Sequence, residues 1–173
     1  MQLQDVDKAA YLKLSRKVSI ILIICFAVSA MAGGQILVHT LGNPEGGNFY
    51  LNLAGVLVGI LVTSLLFSLY RNDPRLESLL YVFRLKRMLA RVTNRMHKLK
   101  KLSEQGNHNA RMILRFYYGG LLQVYFLESN EYGQTELEKE QQVFQAMLTE
   151  EQLDQELPVI EPELIEATAK LAD

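Results

Sequence analysis

Val18-Ser19-Ile20-Ile21-Leu22-Ile23-Ile24-Cys25-Phe26 opens a run that carries no formal charge between Lys17 and Glu45. Its apolar character continues to about Leu41, and a second uncharged run extends from Gly46 to Tyr70, richest between Leu53 and Leu69. A bilayer core of about 30 Å is crossed by about 20 helical residues, and both runs reach that length. A helix that docks on a soluble core keeps a polar face, and neither run has one. Two membrane-spanning helices are therefore expected, at about 18–41 and 48–70.

Two other readings of the first run are weaker. Arg16 and Lys17 precede an apolar core, and Ala30-Met31-Ala32 has the small residues of a signal-peptide cleavage site, but the uncharged run continues well past it. Lipoprotein processing at Cys25 fails because large residues, Ile23 and Ile24, precede it.

Basic residues set the expected orientation. Lys8, Lys13, Arg16 and Lys17 precede the first span, the link Gly42-Asn43-Pro44-Glu45-Gly46-Gly47-Asn48 has no basic residue, and Arg71, Arg75, Arg84, Lys86 and Arg87 lie beyond the second. The positive-inside rule places both termini in the cytoplasm. Small residues recur at helical spacing in each span: Cys25, Ser29 and Gly33 in the first, Gly55, Gly59 and Thr63 in the second. Such rows let helix backbones approach closely. They serve either a homodimer or packing between the spans, which the short link favours. His39 reads as an interfacial residue, since no carboxylate or second histidine in the spans would form a proton path with it.

The 173 residues carry a net charge of -1, an average that describes no part of the chain. Residues 1–17 sum to +2, residues 71–115 to +9 and residues 128–173 to -11. The chain therefore divides into four regions: an N-terminal segment at 1–17, a hairpin at 18–70, a basic helical hairpin at 71–128 and an acidic region at 129–173. Asp73-Pro74 has the form of a helix start. Leu76, Leu79, Leu80, Phe83, Met88, Leu89, Val92, Met96, Leu99 and Leu102 predict one amphipathic helix that stops at Gly106. Arg84, Arg87, Arg91, Arg95 and Lys98 recur on another face of it. After the turn Gly106-Asn107-His108-Asn109, a second helix is expected at roughly 109–128, with Ala110, Ile113, Leu114, Tyr117, Leu121, Val124 and Tyr125 on one face. So short a link makes the two antiparallel partners, closed on each other or on a second copy.

In the acidic region Thr135-Glu136-Leu137-Glu138 and Thr149-Glu150-Glu151-Gln152 each fit a capping box. Pro158 and Pro162 interrupt the chain after the second box, residues 163–172 suit a last short helix, and the region reads as part helix, part mobile tail. The fold class is thus all-α: a two-helix transmembrane hairpin, a cytoplasmic α-helical hairpin and an acidic, partly helical C-terminal region.

One cysteine excludes an internal disulfide and a Cys-based zinc site. His39, His97 and His108 are scattered, and no phosphate loop or nucleophile elbow occurs. No catalytic residue, metal, cofactor or small-molecule substrate is indicated, and the expectation is a non-enzymatic protein. The basic face Arg84, Arg87, Arg91, Arg95 and Lys98 has four readings: a solvated surface, contact with anionic lipid headgroups, neutralisation by the acidic region, or nucleic-acid binding, which no motif supports. A protein partner or a homo-oligomer is the expected associate. An accessory subunit of a membrane enzyme or transporter is the alternative role, and a nucleic-acid tether a weaker one.

Asn48-Phe49-Tyr50-Leu51-Asn52-Leu53-Ala54-Gly55-Val56, Tyr81-Val82-Phe83-Arg84-Leu85-Lys86 and Phe116-Tyr117-Tyr118-Gly119-Gly120-Leu121-Leu122-Gln123-Val124-Tyr125 occur in that order with the two-span layout. Together they resemble a proteobacterial membrane-protein family defined as domain of unknown function 3087. The resemblance covers roughly residues 5–145, and the acidic end departs from the family's pattern. It implies a bacterial inner-membrane protein and supplies no activity, substrate or catalytic residue.

Overall fold

The computed structural model describes residues 1–154, 157 and 159–172, and it is helical throughout, with no strand among the described residues. Contacts divide the chain into Leu12–Leu79 and a second unit of Met1–Tyr11 with Leu80–Asp173.

The first unit contains the two apolar helices. α1 spans Lys8–Leu41 and α2 spans Phe49–Tyr70. The uncharged part of α1 belongs to a longer helix that begins ten residues before Val18. The 22 residues of α2 rise about 33 Å, enough to cross a bilayer core. Between the helices Asn48 bonds back to Asn43 twice, accepting from its backbone N–H at 2.8 Å and donating to its carbonyl at 3.0 Å. Beyond α2, Asp73 accepts from the backbone N–H of Arg75 at 2.9 Å. It caps the expected start, but the first turn, Pro74–Leu76, is 3-10 rather than α-helical.

α1 and α2 meet through glycines. A Cβ on Gly55 would lie 2.5 Å from the Cα of Gly34 and 2.8 Å from the carbonyl oxygen of Ala30, so only glycine fits there. At Gly59 the neighbours are Ala30 and Phe26.

The second unit is built round α5, His108–Leu127, against which α4 (Met96–Glu104), α6 (Glu131–Gln145) and α8 (Pro162–Lys170) all pack. Ala110, Met112, Ile113, Leu114, Phe116, Tyr118, Val124 and Leu127 are buried, which covers more than one face. Burial all round is the mark of a central helix. It corrects the single face expected for this segment, on which Tyr117, Leu121 and Tyr125 are only partly buried. The partners that close the hairpin are its own acidic region and N-terminal segment: Ile160 and Ile165 are fully buried beside it.

The single basic helix expected over 74–106 is broken. α3, Glu77–Thr93, ends there and α4 begins only at Met96. Thr93 turns its hydroxyl back to the carbonyl of Leu89 at 3.0 Å, and the N–H of Arg95 reaches back three residues to Val92 at 2.9 Å. Thr and Asn are poor helix formers because such local bonds compete with the ladder. The buried face of α3, Glu77–Thr93, is Tyr81, Val82, Leu85, Leu89 and Val92. Phe83, expected inside, is 58% exposed.

Both turns that flank α5 use one device. At the end of α4 the N–H of Asn107 bonds to Leu102 and that of Gly106 to Ser103, each at 3.0 Å, with Gly106 at φ +87°. This is the Schellman arrangement, and Asn107 then caps α5 by accepting from Ala110 N–H at 3.0 Å. At the end of α5 the N–H of Asn130 bonds to Tyr125 at 2.9 Å and that of Ser129 to Phe126 at 3.2 Å, with Ser129 at φ +57°. Asn130 then caps α6 by accepting from Gly133 N–H at 3.0 Å. So α6 starts at Glu131, and the capping box expected at Thr135 is interior: its hydroxyl donates to the carbonyl of Glu131 at 3.1 Å. The second capping box does form at the start of α7, Glu150–Asp154, where Thr149 and Gln152 exchange bonds at 3.3 Å. Pro162 opens α8 rather than interrupting it, and Pro158 lies outside the described residues.

Candidate functional site: an arginine-lined cleft

Arg84, Arg87 and Arg91 stand at steps of three and four residues on α3, which puts them on one stripe. They border a cleft of about 610 Å³ whose floor includes Met88. The opposite wall comes from residues distant in sequence: Met1–Gln4 together with Val159 and Pro162.

That wall is tied down at both ends. The N–H of Ile160 donates to the carbonyl of Met1 at 3.0 Å, and the Met1 amino group donates to the carbonyl of Ile160. Further along, Gln4 N–H donates to the Tyr81 hydroxyl at 2.9 Å, and that hydroxyl donates to Gln123 Oε1 at 2.7 Å. Gln123 closes the ring by donating from Nε2 to the carbonyl of Gln4. Tyr81 is buried, and its burial raises the phenol pKa, so the hydroxyl stays a donor at neutral pH.

The charge partners sort the basic residues into two groups. Arg95, at the helix break, pairs with Glu166 at 3.0 Å, Lys100 lies 3.9 Å from Glu140, and Lys86 pairs with Glu128. Arg115 donates to the carbonyls of Gln152 and Leu153, the latter at 2.7 Å, and Arg111 donates to Gln152 Oε1 at 3.0 Å. The acidic region thus engages much of the basic hairpin. Among the described residues, no carboxylate or carbonyl engages the guanidinium groups of Arg84, Arg87 and Arg91. Among the described residues, no Asp or Glu borders their cleft. Lys98 is half-buried on α4 and does not line the cleft.

Elsewhere the features are structural. Gly55 and Gly59 lie at the α1–α2 contact, but the residues facing them are Phe26, Ala30 and Gly34. That row is one residue along from Cys25, Ser29 and Gly33. Gly33 meets Val58, while the Ser29 hydroxyl donates to the carbonyl of Cys25 at 2.6 Å. Cys25 is half-buried, and the Thr63 hydroxyl is buried with no partner among the described residues. Tyr118 is buried and stacks at a tilt on Phe144, 5.3 Å between centroids. No group of three or more His, Cys, Asp or Glu side chains among the described residues could hold a metal ion.

The family model described as "Protein of unknown function (DUF3087)" matches residues 1–165. The chain belongs to the DUF3087 family. The match reaches through most of the acidic region into α8, so the family extends past residue 145, the limit of the resemblance carried by the motifs. Physically this fits: Ile160 and Ile165 are core residues of the same helical unit. Comparisons with curated proteins and with solved structures returned no match.

Proposed function

We propose that this DUF3087 protein is a non-enzymatic integral protein of a bacterial inner membrane, with both termini in the cytoplasm. The α1–α2 hairpin is its anchor, and its helical unit engages a protein partner or a second copy through the arginine stripe of α3. The observation that carries the reading is the apolar surface of the hairpin: Ile23, Val28, Met31, Ile36, Leu57 and Leu61 are each more than half exposed. An apolar surface of that extent is stable only against lipid or protein. The distribution of Lys and Arg round the spans supports the orientation.

Alkaline carbonate extraction tests the anchor, and a reporter fused after Asp173 tests the orientation. Retention in the membrane pellet with a cytoplasmic reporter signal is expected. Release into the supernatant would refute the anchor. Charge reversal at Arg84, Arg87 and Arg91 is expected to reduce partner or self crosslinking in cells, and unchanged crosslinking of a folded variant would refute the interaction role.

A further inference from the structure

We propose that the cleft bordered by Arg84, Arg87 and Arg91 binds a phosphorylated ligand of nucleotide or lipid-headgroup size. The inference goes beyond the reading of this stripe as a protein contact: it adds a small ligand held by the same arginines, and it rests on them and not on the membrane anchor.

Three observations lead to it. First, the chain supplies carboxylates to Lys86, Lys100 and Arg95 but, among the described residues, none to these three guanidinium groups. Among the described residues no Asp or Glu borders the cleft, so the charge on its described walls is positive. Second, residues 84 to 91 rise about 10 Å along α3, so the three side chains form a row longer than one phosphoryl group. Guanidinium forks donate paired N–H bonds to phosphate oxygens, and a row of them suits a ligand with two or more phosphoryl groups, or one with a neutral body. Third, the cleft volume of about 610 Å³ falls in the range of small-molecule sites. Its remaining surface includes Leu3, Met88, Val159 and Pro162, which offer apolar contact to that body. The paired backbone bonds of Met1 and Ile160 and the Gln4–Tyr81–Gln123 ring hold the far wall in place without a ligand.

The shared chemistry has two sources, a soluble phosphate ester or the headgroup of an anionic phospholipid, and the experiment separates them. The full chain, tagged at its C-terminus, is placed in phosphatidylcholine nanodiscs and titrated with ADP and with inorganic tripolyphosphate by calorimetry. A parallel sample in nanodiscs containing phosphatidylglycerol is treated with phenylglyoxal, and arginine modification is read by mass spectrometry. Saturable binding of a soluble probe that weakens by about tenfold or more in R84Q/R87Q/R91Q, and much less in R95Q, supports a soluble ligand. Protection of Arg84, Arg87 and Arg91 by phosphatidylglycerol alone, with Arg75 unprotected, supports a headgroup. The footprint is read on the wild-type chain, so it stands even if the triple variant fails to fold. Absence of both signals, or equal affinity of a folded triple variant, overturns the proposal. Carbonate extraction and cellular crosslinking use neither probe, so failure of the anchoring reading is seen separately.

Discussion

Arg95, in the break between α3 and α4, meets Glu166 of α8 at 3.0 Å, and this ion pair joins the basic hairpin to the acidic region. Both side chains remain more than 40% exposed. Exposed pairs contribute about 0.2–1 kcal/mol, because solvent screens the charges and ordering two long side chains costs entropy. Ile165, one residue earlier, is fully buried. α8 is therefore held by its apolar face. A double-mutant cycle of R95Q and E166Q should give a coupling below about 1 kcal/mol, whereas Ile165→Ala should cost about 2–4 kcal/mol. Urea unfolding in neutral detergent measures both, and a larger loss from E166Q than from Ile165→Ala would reverse the assignment.

The α1–α2 contact makes a sharper demand on one glycine than on its neighbour. A methyl group at Gly55 would meet the Gly34 backbone at 2.5 Å, but a methyl group at Gly34 finds nothing nearer than 3.7 Å. Backbone cannot move aside as a flexible side-chain tip can. Gly55→Ala should then destabilise the hairpin by about 1–3 kcal/mol, with Gly34→Ala close to neutral. Thermal unfolding followed by circular dichroism distinguishes them, and equal effects would mean that the helices do not cross here.

Ser129 occupies the left-handed region at φ +57°, the position that Gly106 fills in the matching turn at φ +87°. An L-residue with a Cβ is disfavoured there by about 1–2 kcal/mol. Ser129→Gly should recover part of this, about 0.5–1 kcal/mol after the added freedom of the unfolded chain is counted. Gly106→Ala should lose about 1 kcal/mol by strain alone, since no other atom lies within 4 Å of a methyl group there. Opposite signs in a chemical-unfolding assay are the expected result.

These turns also show where the sequence is readable. Gly106-Asn107 announces a helix end and a new start, because glycine is the usual residue at that conformation. Ser129-Asn130 performs the same task with no such signal, and for that reason the sequence pattern points to Thr135 instead. The uncharged lengths of α1 and α2 needed only local composition. Leu85 and Tyr81 lie outside the row that ran through Leu76, Leu80 and Phe83. Which row faces inward depends on α5 and on the N-terminal segment packed beside it. The site divides in the same way. Arg84, Arg87 and Arg91 are visible as a stripe, but their separation from Arg95 depends on a break at Thr93 and on a carboxylate 71 residues away. The far wall, Met1–Gln4 with Val159 and Pro162, joins the two ends of the chain and has no local signature.

Tyr81, Tyr118 and Tyr11 have phenol pKa values above the ordinary value near 10, each chiefly because burial disfavours the phenolate. For Tyr11 the nearby Glu128 adds to the shift, and for Tyr118 the charge of Glu140 does. A folded-state pKa raised above the unfolded value gives stability that is fully present below the unfolded value, near pH 10, and is lost as pH rises through the folded one. Alkaline unfolding should therefore begin above about pH 10. Absorbance at 295 nm, followed alongside circular dichroism, checks this: ionisation of these three phenols should coincide with loss of helix. Tyr81→Phe should also leave Gln123 Oε1 and Gln4 N–H without their partner and lower stability by about 1–3 kcal/mol at neutral pH. Complete phenol ionisation with the helices intact would show that these phenols are not held in the core.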